Sequence, residues 1–541
     1  NLPVWNGEFY LEYHRGTYTS QARNKRNNRK SEFLLHDAEF LAALAAVMTD
    51  YAYPQADITK AWELICLNQF HDILPGSSIG EVYVDSTKDY QIIRDLGEKV
   101  RLDALSALAK TLPVNSSVMV ANPTSFGGRR IGLLDGKLAS GVHLESAGQA
   151  LATQAVEGGT LVELTDLPPY SVIGLSESTS KASLPAGNLS IKSTKKQTVL
   201  ENALVRVELN GNGDITRLYD KQADREVFAK GAVGNALMVF EDRPMNFDAW
   251  DIDIFFEDRS EQVTGGTSLK MIEQGPLRAG VEVTHTYQSS TIRQKIYLYR
   301  DSKRIDFETF VDWHEHHILL KAAFPVDVMS PTATFDVQWG NVERPTHRNT
   351  SWDWARFETC AHKWADLSEG NYGVALLNDC KYGYDIHDNV MRLSLLKSAT
   401  NPDANADQGE HWMTYSLLPH EGDWRGEVIP AAYDLNDPLI VAWAKGAAGT
   451  TALSSLVSVS AANVVIETVK RAEDGNGVIV RMYEDQRNRG KFTLTTGFAL
   501  KEAYRCNLLE ENDGALEVKN NQLQLDVTPY QIITLRLIPQ A

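Results

Sequence analysis

The sequence predicts a mainly β protein with a helical N-terminal part, namely a three-helix bundle followed by stacked antiparallel β-sandwich domains. Before Pro113, apolar residues recur about every three to four positions, the period of a helix buried on one face. After Pro113, apolar and polar residues alternate in short segments separated by turns rich in Gly and Asn, as is typical of antiparallel strands. A chain of 541 residues exceeds what one core holds, so we expect several domains.

Three helical segments are predicted in the first part of the chain. Residues 30–48 carry an apolar stripe, residues 57–70 form a second helix that Asp57 can cap, and residues 82–112 form a third. Residues 2–19 are rich in aromatic side chains and irregular, which favours strand and loop. Short links between amphipathic helices indicate a three-helix bundle over residues 1–112.

The remaining sequence divides into three predicted β domains. Residues 113–180 form a small sandwich that begins with a strand at 118–122, and residues 178–190 form a linker rich in Ser and Ala. Residues 190–442 form a large β domain, in which the turn at 210–214 joins two strands of a hairpin. Residues 443–541 form a C-terminal sandwich, and no fixed-period repeat is evident.

Composition excludes some partners. The net charge is −18 and the sequence pI is near 5.2, so nucleic acid and anionic membranes are repelled, whereas neutral sugars are not. We interpret the basic residues at 23–30 as a solvated helix start rather than a nucleic-acid patch. Four scattered cysteines, no signal peptide and no apolar run long enough for a bilayer favour a cytoplasmic protein without disulfides.

The segment 67–78 is the first candidate for chemistry. It places His71 and Asp72 where the second predicted helix ends and Pro75-Gly76 forms a turn. A helix end fixes a side chain and a turn leaves it reachable, so this is a suitable place for a metal ligand and a carboxylate. The alternative is a histidine and an aspartate that merely terminate the helix and bind nothing.

A second candidate is the segment 7–20, which combines two carboxylates, a histidine, an arginine and four aromatic rings. Aromatic rings stack on the C–H faces of a sugar, and an apolar wall raises the pKa of a carboxyl group so that it can act as an acid. The alternative is a buried edge strand with exposed charges.

These motifs resemble glycoside hydrolase family 38, the class II α-mannosidases. Residues 68–78, Asn-Gln-Phe-His-Asp-Ile-Leu-Pro-Gly-Ser-Ser, look like a hallmark of that family. Residues 7–12, Gly-Glu-Phe-Tyr-Leu-Glu, are similar to its acid/base segment in the cytosolic and bacterial branch. Further similarities to that branch lie at 241–251, 344–353, 362–369 and 403–411, so the resemblance covers nearly the whole chain.

The resemblance implies roles for individual residues. His71 would be a zinc ligand, Asp72 would contact sugar hydroxyls, and Glu8 would be the general acid/base, with Glu12 as the alternative. The implied protein is a zinc-dependent retaining exo-α-mannosidase that hydrolyses terminal α-linked mannose in oligosaccharides, and we expect a homodimer. The family's catalytic domain, with its nucleophile and the other zinc ligands, would precede Asn1, so we expect this chain alone to be inactive.

A rival hypothesis from another class is a non-catalytic carbohydrate-binding β-sandwich protein, which the aromatic content and the long β region favour.

Two further clusters are given structural interpretations. His314-Glu315-His316-His317 is not the His-Glu-x-x-His metalloprotease motif, and we predict strand surface there. Residues 403–411 form a polar loop, for which we expect a structural or sugar-contact role.

Overall fold

The computed structural model describes residues 2–10, 13–180, 188–194, 197–266, 269–449 and 455–540. It confirms the predicted fold class, because helices near the N-terminus precede several antiparallel β-sheets. The helices are α1 Ala22–Met48, α2 Gln55–Asn68, α3 Gly80–Ala109, α4 Ser351–Ala355 and α5 Val428–Asn436, with 3-10 turns at Arg15–Tyr18 and Ile254–Asp258. None of the described helices is both long and apolar enough to cross a bilayer.

The helix boundaries differ from the predicted ones. Helix α2 begins after Pro54, so Asp57 does not cap it but lies in its first turn and pairs with Lys99 at 2.7 Å. Helix α1 begins well before its apolar stripe, because its first turns bury polar groups against the β part instead of apolar ones. No strand occurs at 2–10 or 13–19, which contradicts the strand predicted there.

The start of α1 corrects the solvated interpretation of the basic segment. Lys25 and Arg29 are buried, and Arg29 donates to Asn436 Oδ1 at 2.9 Å and stacks over the ring of Tyr382 at 4.4 Å. A charged side chain is buried where enough partners compensate its lost hydration, and the sequence pattern gives no sign of such distant partners.

After the first three helices, the described residues contain thirty-six strands. Up to residue 241 they are β1 Val118–Asn122, β2 Gly128–Asp135, β3 His143–Ser146, β4 Gln149–Ala150, β5 Thr153–Val156, β6 Gly159–Leu167, β7 Ser171–Ser178, β8 Ser190–Ser193, β9 Thr198–Glu201, β10 Val205–Leu209, β11 Ile215–Asp220, β12 Arg225–Glu226 and β13 Ala236–Glu241. Up to residue 345 they are β14 Ser260–Gln262, β15 Lys270–Gln274, β16 Arg278–Tyr287, β17 Ser290–Tyr299, β18 Ile305–Trp313, β19 Ile318–Pro325, β20 Thr332–Val337 and β21 Gly340–Pro345.

The later strands complete the large β region and the C-terminal part. They are β22 Thr359–Cys360, β23 Trp364–Ser368, β24 Tyr372–Asn378, β25 Gly383–His387, β26 Val390–Lys397, β27 Gly409–Glu421, β28 Ile440–Trp443, β29 Val457–Val459, β30 Val464–Arg471, β31 Val478–Glu484, β32 Gly490–Thr496, β33 Leu500–Cys506, β34 Asn512–Leu516, β35 Gln522–Val527 and β36 Ile532–Pro539. The predicted linker falls largely at 181–187, outside the described residues.

Within the described part of the chain, the strands form six sheets. The first has the order β4-β3-β7-β1-β28-β2-β6-β5, so β28 returns to lie between β1 and β2, antiparallel to β1 and parallel to β2. The large β region contains a nine-stranded, a six-stranded and a five-stranded sheet. Two smaller sheets, β29-β32-β35 and β30-β31-β36-β33-β34, form the C-terminal sandwich.

Two large apolar clusters hold this arrangement together. One lies inside the large β region and includes Trp313, Phe324 and Tyr415. The other joins residues 38–45 of α1 and the last turns of α3 to the inner faces of the C-terminal sandwich. The helices therefore share a core with the end of the chain. All four cysteines are free, as the sequence predicts.

Candidate active site

The turn after α2 presents His71 and Asp72 at the surface. Helix α2 ends when the Gln69 N–H donates to Ile65 O at 2.9 Å, and tight turns continue to Gly76. Gly76 has φ +95°, and a Cβ there would lie 2.5 Å from Ser20 O, so only glycine fits. The turn is thus pressed against the chain that leads into α1.

His71 and Asp72 form a solvent-facing pair. The His71 side chain is 77% exposed, and its Nε2 lies 3.3 Å from Asp72 Oδ2. The other carboxylate oxygen of Asp72 accepts a hydrogen bond from Ser77 Oγ at 2.8 Å, and the Phe70 ring lies 4.2 Å from the His71 ring. An imidazole with this much exposure and an oriented carboxylate beside it can accept a metal ion or a polyol.

Lys25 anchors this turn from beneath. Its ammonium group donates to the carbonyl oxygens of Ser20 at 2.5 Å, Leu74 at 2.9 Å and Pro75 at 3.2 Å. The side chain is buried, and burial lowers the pKa of Lys25 to about 7. A single buried amine therefore ties α1 to the backbone just beyond His71 and Asp72.

Glu8 is held by an arginine from the large β region. Both carboxylate oxygens accept from Arg344, at 2.7 Å and 2.8 Å, and Arg344 also donates to Cys360 O. Burial raises the pKa of Glu8, but the Arg344 hydrogen bonds and charge outweigh it, so the net pKa is below the usual value. In this arrangement Glu8 is ionised. Glu12 lies outside the described residues.

Exposed aromatic rings lie on and beside the segment that carries Glu8. Trp5 lies 6.3 Å from Phe9 and 6.1 Å from Trp352, measured between ring centroids, and all three rings are exposed. Tyr10 instead points inward and donates to Glu358 O at 2.5 Å. The exposed rings can stack on a sugar, whereas Tyr10 fixes the backbone that carries Glu8.

A cavity of about 700 Å³ separates the helices from the β part behind these motifs. Gln69, Leu74 and Pro75 line it on the His71 side, and Tyr18 and Cys360 line it on the Glu8 side. Sequence reasoning missed this cavity and missed Lys25 and Arg344 as partners, because all three depend on contacts between distant segments.

The polar loop at 403–411 has a structural role. The Asp407 carboxylate accepts from the backbone N–H groups of Gln21 at 3.0 Å and Ala22 at 2.7 Å, so it caps α1 from the large β region. Asp403 accepts from the Gln21 side chain at 2.7 Å, and the buried His411 bonds the carbonyl of Asp407 at 2.9 Å. Of the two roles predicted for this loop, structural or sugar contact, the geometry agrees with the structural one.

The prediction of strand surface at His314-Glu315-His316-His317 is wrong. These residues connect β18 to β19, and Glu315 is buried, where it accepts from Ser289 N and Ser290 Oγ. His317 has φ +54°, which ends the extended conformation. The physical reason is that Glu315 satisfies the backbone of the neighbouring β16–β17 turn.

Comparison with known proteins covers the whole chain. Three sequence profiles match: the alpha mannosidase middle domain at 12–108, the glycosyl hydrolases family 38 C-terminal domain at 200–405, and the family 38 C-terminal beta sandwich domain at 463–535. Alpha-mannosidase 2C1 of Mus musculus is 37% identical, with 100% of this chain and 51% of the relative aligned. Alpha-mannosidase G of Dictyostelium discoideum is 33% identical, with 99% and 53% aligned.

The chain therefore spans about half the length of the curated relatives it matches. Among solved structures, an alpha-mannosidase from Enterococcus faecalis V583 superposes with a TM-score of 0.80 at 16% identity, covering 96% of this chain and 68% of that one. At that identity the superposition supports the fold alone.

Proposed function

Since the chain belongs to glycosyl hydrolase family 38, we propose that it is the C-terminal part of a zinc-dependent retaining exo-α-mannosidase. Its substrate would be an oligosaccharide ending in α-linked mannose. The observation that carries the proposal is the His71–Asp72 turn, with an exposed imidazole and an oriented carboxylate fixed at a helix end. The relatives named α-mannosidases support the same substrate class.

The residues of the turn fit a zinc ion. An exposed imidazole is a common zinc ligand, and His71 faces Asp72 through Nε2, while its Nδ1 makes no hydrogen bond to the described residues. Catalytic zinc sites use about three protein ligands, so we place the others in the half of the relatives' length that this chain does not span. When bound, zinc would stabilise developing charge and orient sugar oxygens.

Asp72 is proposed to bind the sugar. Ser77 holds one of its oxygens, which fixes the carboxylate plane and leaves the second oxygen facing His71 and the solvent. A carboxylate in that position accepts hydrogen bonds from vicinal hydroxyl groups. Phe70, exposed beside His71, offers an apolar face to the ring of the sugar.

Glu8 is proposed as the general acid/base. In the retaining scheme one carboxyl protonates the leaving oxygen and then deprotonates water, while a second carboxylate attacks the anomeric carbon. We place that nucleophile outside this chain. Arg344 keeps Glu8 ionised, the form needed to deprotonate water, so protonation of the leaving group requires this ion pair to loosen when substrate displaces water.

The test is hydrolysis of an aryl α-mannoside by the intact protein. We expect activity that a chelator abolishes and zinc restores, and α-mannose as the first product by proton NMR. The aryl β-mannoside serves as the matched control and should not react. Activity that survives complete removal of metal, or β-mannose as the first product, would contradict the proposal.

The rival function, a carbohydrate-binding module, is supported by the exposed rings of Trp5, Phe9 and Trp352. Calorimetric titration with methyl α-mannoside separates the two functions. Zinc-independent binding that Trp352→Ala abolishes and His71→Ala preserves would favour the module.

We also propose a cytoplasmic homodimer. Four free cysteines suit a reducing compartment. Sedimentation equilibrium of the intact protein tests the dimer, and a monomer at micromolar concentration would refute it.

A further inference from the structure

His36, Asp37 and Asp437 meet where α1 faces the segment that follows α5. His36 Nδ1 lies 3.4 Å from Asp37 Oδ1 and 3.4 Å from Asp437 Oδ2. The Asp437 side chain is 1% exposed and that of Asp37 is 9% exposed. Three potential ligand atoms therefore converge in a largely buried place, and they share no residue with the His71–Asp72 turn.

The contact with Tyr170 determines the tautomer of His36, and therefore which ring nitrogen carries the lone pair. The Tyr170 hydroxyl donates to Ile466 O at 2.9 Å, and this uses its only proton. Its contact with His36 Nε2 at 3.3 Å is then one in which Nε2–H donates. In the neutral imidazole the lone pair is on Nδ1, directed at Asp37 and Asp437, which is the orientation of a metal-binding histidine.

Asp437 lacks the partners that a buried carboxylate needs. Neither of its side-chain oxygens has a hydrogen-bond partner among the described residues. The nearby Arg130 is occupied, because its nitrogens donate to Asp434 Oδ1, Asn122 Oδ1 and the backbone oxygen of Asp437. A buried carboxylate without a hydrogen-bond donor is costly, so the cluster requires a proton or a cation.

The distances from His36 Nδ1 to the two carboxylates favour a shared cation over a hydrogen bond to the imidazole. Two ligands bound tetrahedrally at the usual zinc distance of about 2.0–2.1 Å are about 3.4 Å apart. A charge-assisted N–H···O bond would draw the same atoms to about 2.7–2.9 Å. Both distances from His36 Nδ1 agree with the first value and exceed the second.

We propose that His36, Asp37 and Asp437 bind a divalent transition-metal ion of the zinc type in an open site between two segments of the chain. One imidazole and two carboxylates supply three ligands, and a water from the adjoining cleft, which Asp37 and Asp437 line, supplies the fourth. Ca²⁺ and Mg²⁺ are disfavoured because they require six or more oxygen ligands. The ion joins α1 to the end of α5, beside the Arg29–Asn436 hydrogen bond.

The experiment counts zinc in the intact protein by elemental analysis after dialysis against limiting zinc. We expect His36→Gln and Asp437→Asn each to contain one equivalent of zinc fewer than the parent. His71→Ala should retain that equivalent. His314→Gln, which replaces an exposed histidine, is the matched control and should lose none. Zinc should also raise the Tm of the metal-depleted parent by several degrees, and this rise should vanish in His36→Gln.

Tyr170→Phe provides a test that leaves all three ligands in place. Loss of the acceptor for Nε2–H should weaken zinc about 10–100-fold without abolishing binding. The proposal is overturned if His71→Ala retains no zinc, or if His36→Gln retains as much as the parent. If the proposed catalytic zinc is absent, His71→Ala should contain as many zinc equivalents as the parent. The two proposals therefore fail with different results.

Discussion

His71 is an exposed side chain whose loss should leave the fold intact. We expect His71→Ala to lower zinc content and activity together, because a ligand is removed, while circular dichroism and Tm stay unchanged. Asp72→Asn should keep zinc but raise KM, since each hydrogen bond to a charged group is worth about 1.5–3 kcal/mol. If His71→Ala keeps full zinc and normal turnover, His71 is merely a helix-terminal histidine.

Arg344 sets the protonation of Glu8. Arg344→Gln removes the hydrogen bonds and the nearer of the two charges that lower the pKa of Glu8, and it leaves the burial that raises it, so that pKa should rise. An acid with a higher pKa stays protonated to higher pH, so the basic limb of the kcat/KM profile of the intact enzyme should move upward. Arg487→Gln, which removes an exposed partner of Glu343, is the control. An unmoved basic limb would remove Glu8 from the acid role.

At the scale of elements, Lys25 connects α1 to the turn after α2. Lys25→Met leaves three carbonyl oxygens without their donor, so the free energy of unfolding should fall by about 2–4 kcal/mol in urea titrations. Lys88→Met on the exposed face of α3 should change it by less than about 0.5 kcal/mol. Equal stability of the two variants would show that water replaces Lys25.

Local periodicity predicted most elements correctly and their ends poorly. The hairpin β10–β11 and strand β1 were predictable because alternation and turn residues are local signals. The start of α1 was not, since its cap is Asp407, which lies 385 residues from Ala22 in sequence. The partners of Lys25 and Glu8 could not be predicted either, because they also lie far away in sequence. The motif residues themselves could be identified by their resemblance to a known family.

At the scale of the whole molecule, the proposed nucleophile lies outside these residues. We therefore expect the 541-residue chain alone to show no turnover of an aryl α-mannoside, even with added zinc, because loss of a nucleophile costs several orders of magnitude in rate. The intact protein at equal concentration is the control. Robust zinc-stimulated hydrolysis by the isolated chain would locate a different active site within it.

The placement of β28 was also beyond sequence reasoning. The alternation that ends near residue 442 is real, but its last strand pairs with β1 and β2 rather than with its neighbours in sequence. A strand of four residues does not specify so distant a partner, because any short apolar strand could pair with β1 and β2.

That same strand has a consequence for synthesis on the ribosome. Because β28 lies between β1 and β2, the first sheet cannot be completed until roughly 300 further residues after β2 have been translated. At ordinary elongation rates this takes about 15–60 s. During that interval two strand edges remain open in the middle of the nascent sheet, and open edges recruit other chains. Cells that make this protein quickly must shield those edges, so its yield should depend on chaperone supply and on slow translation.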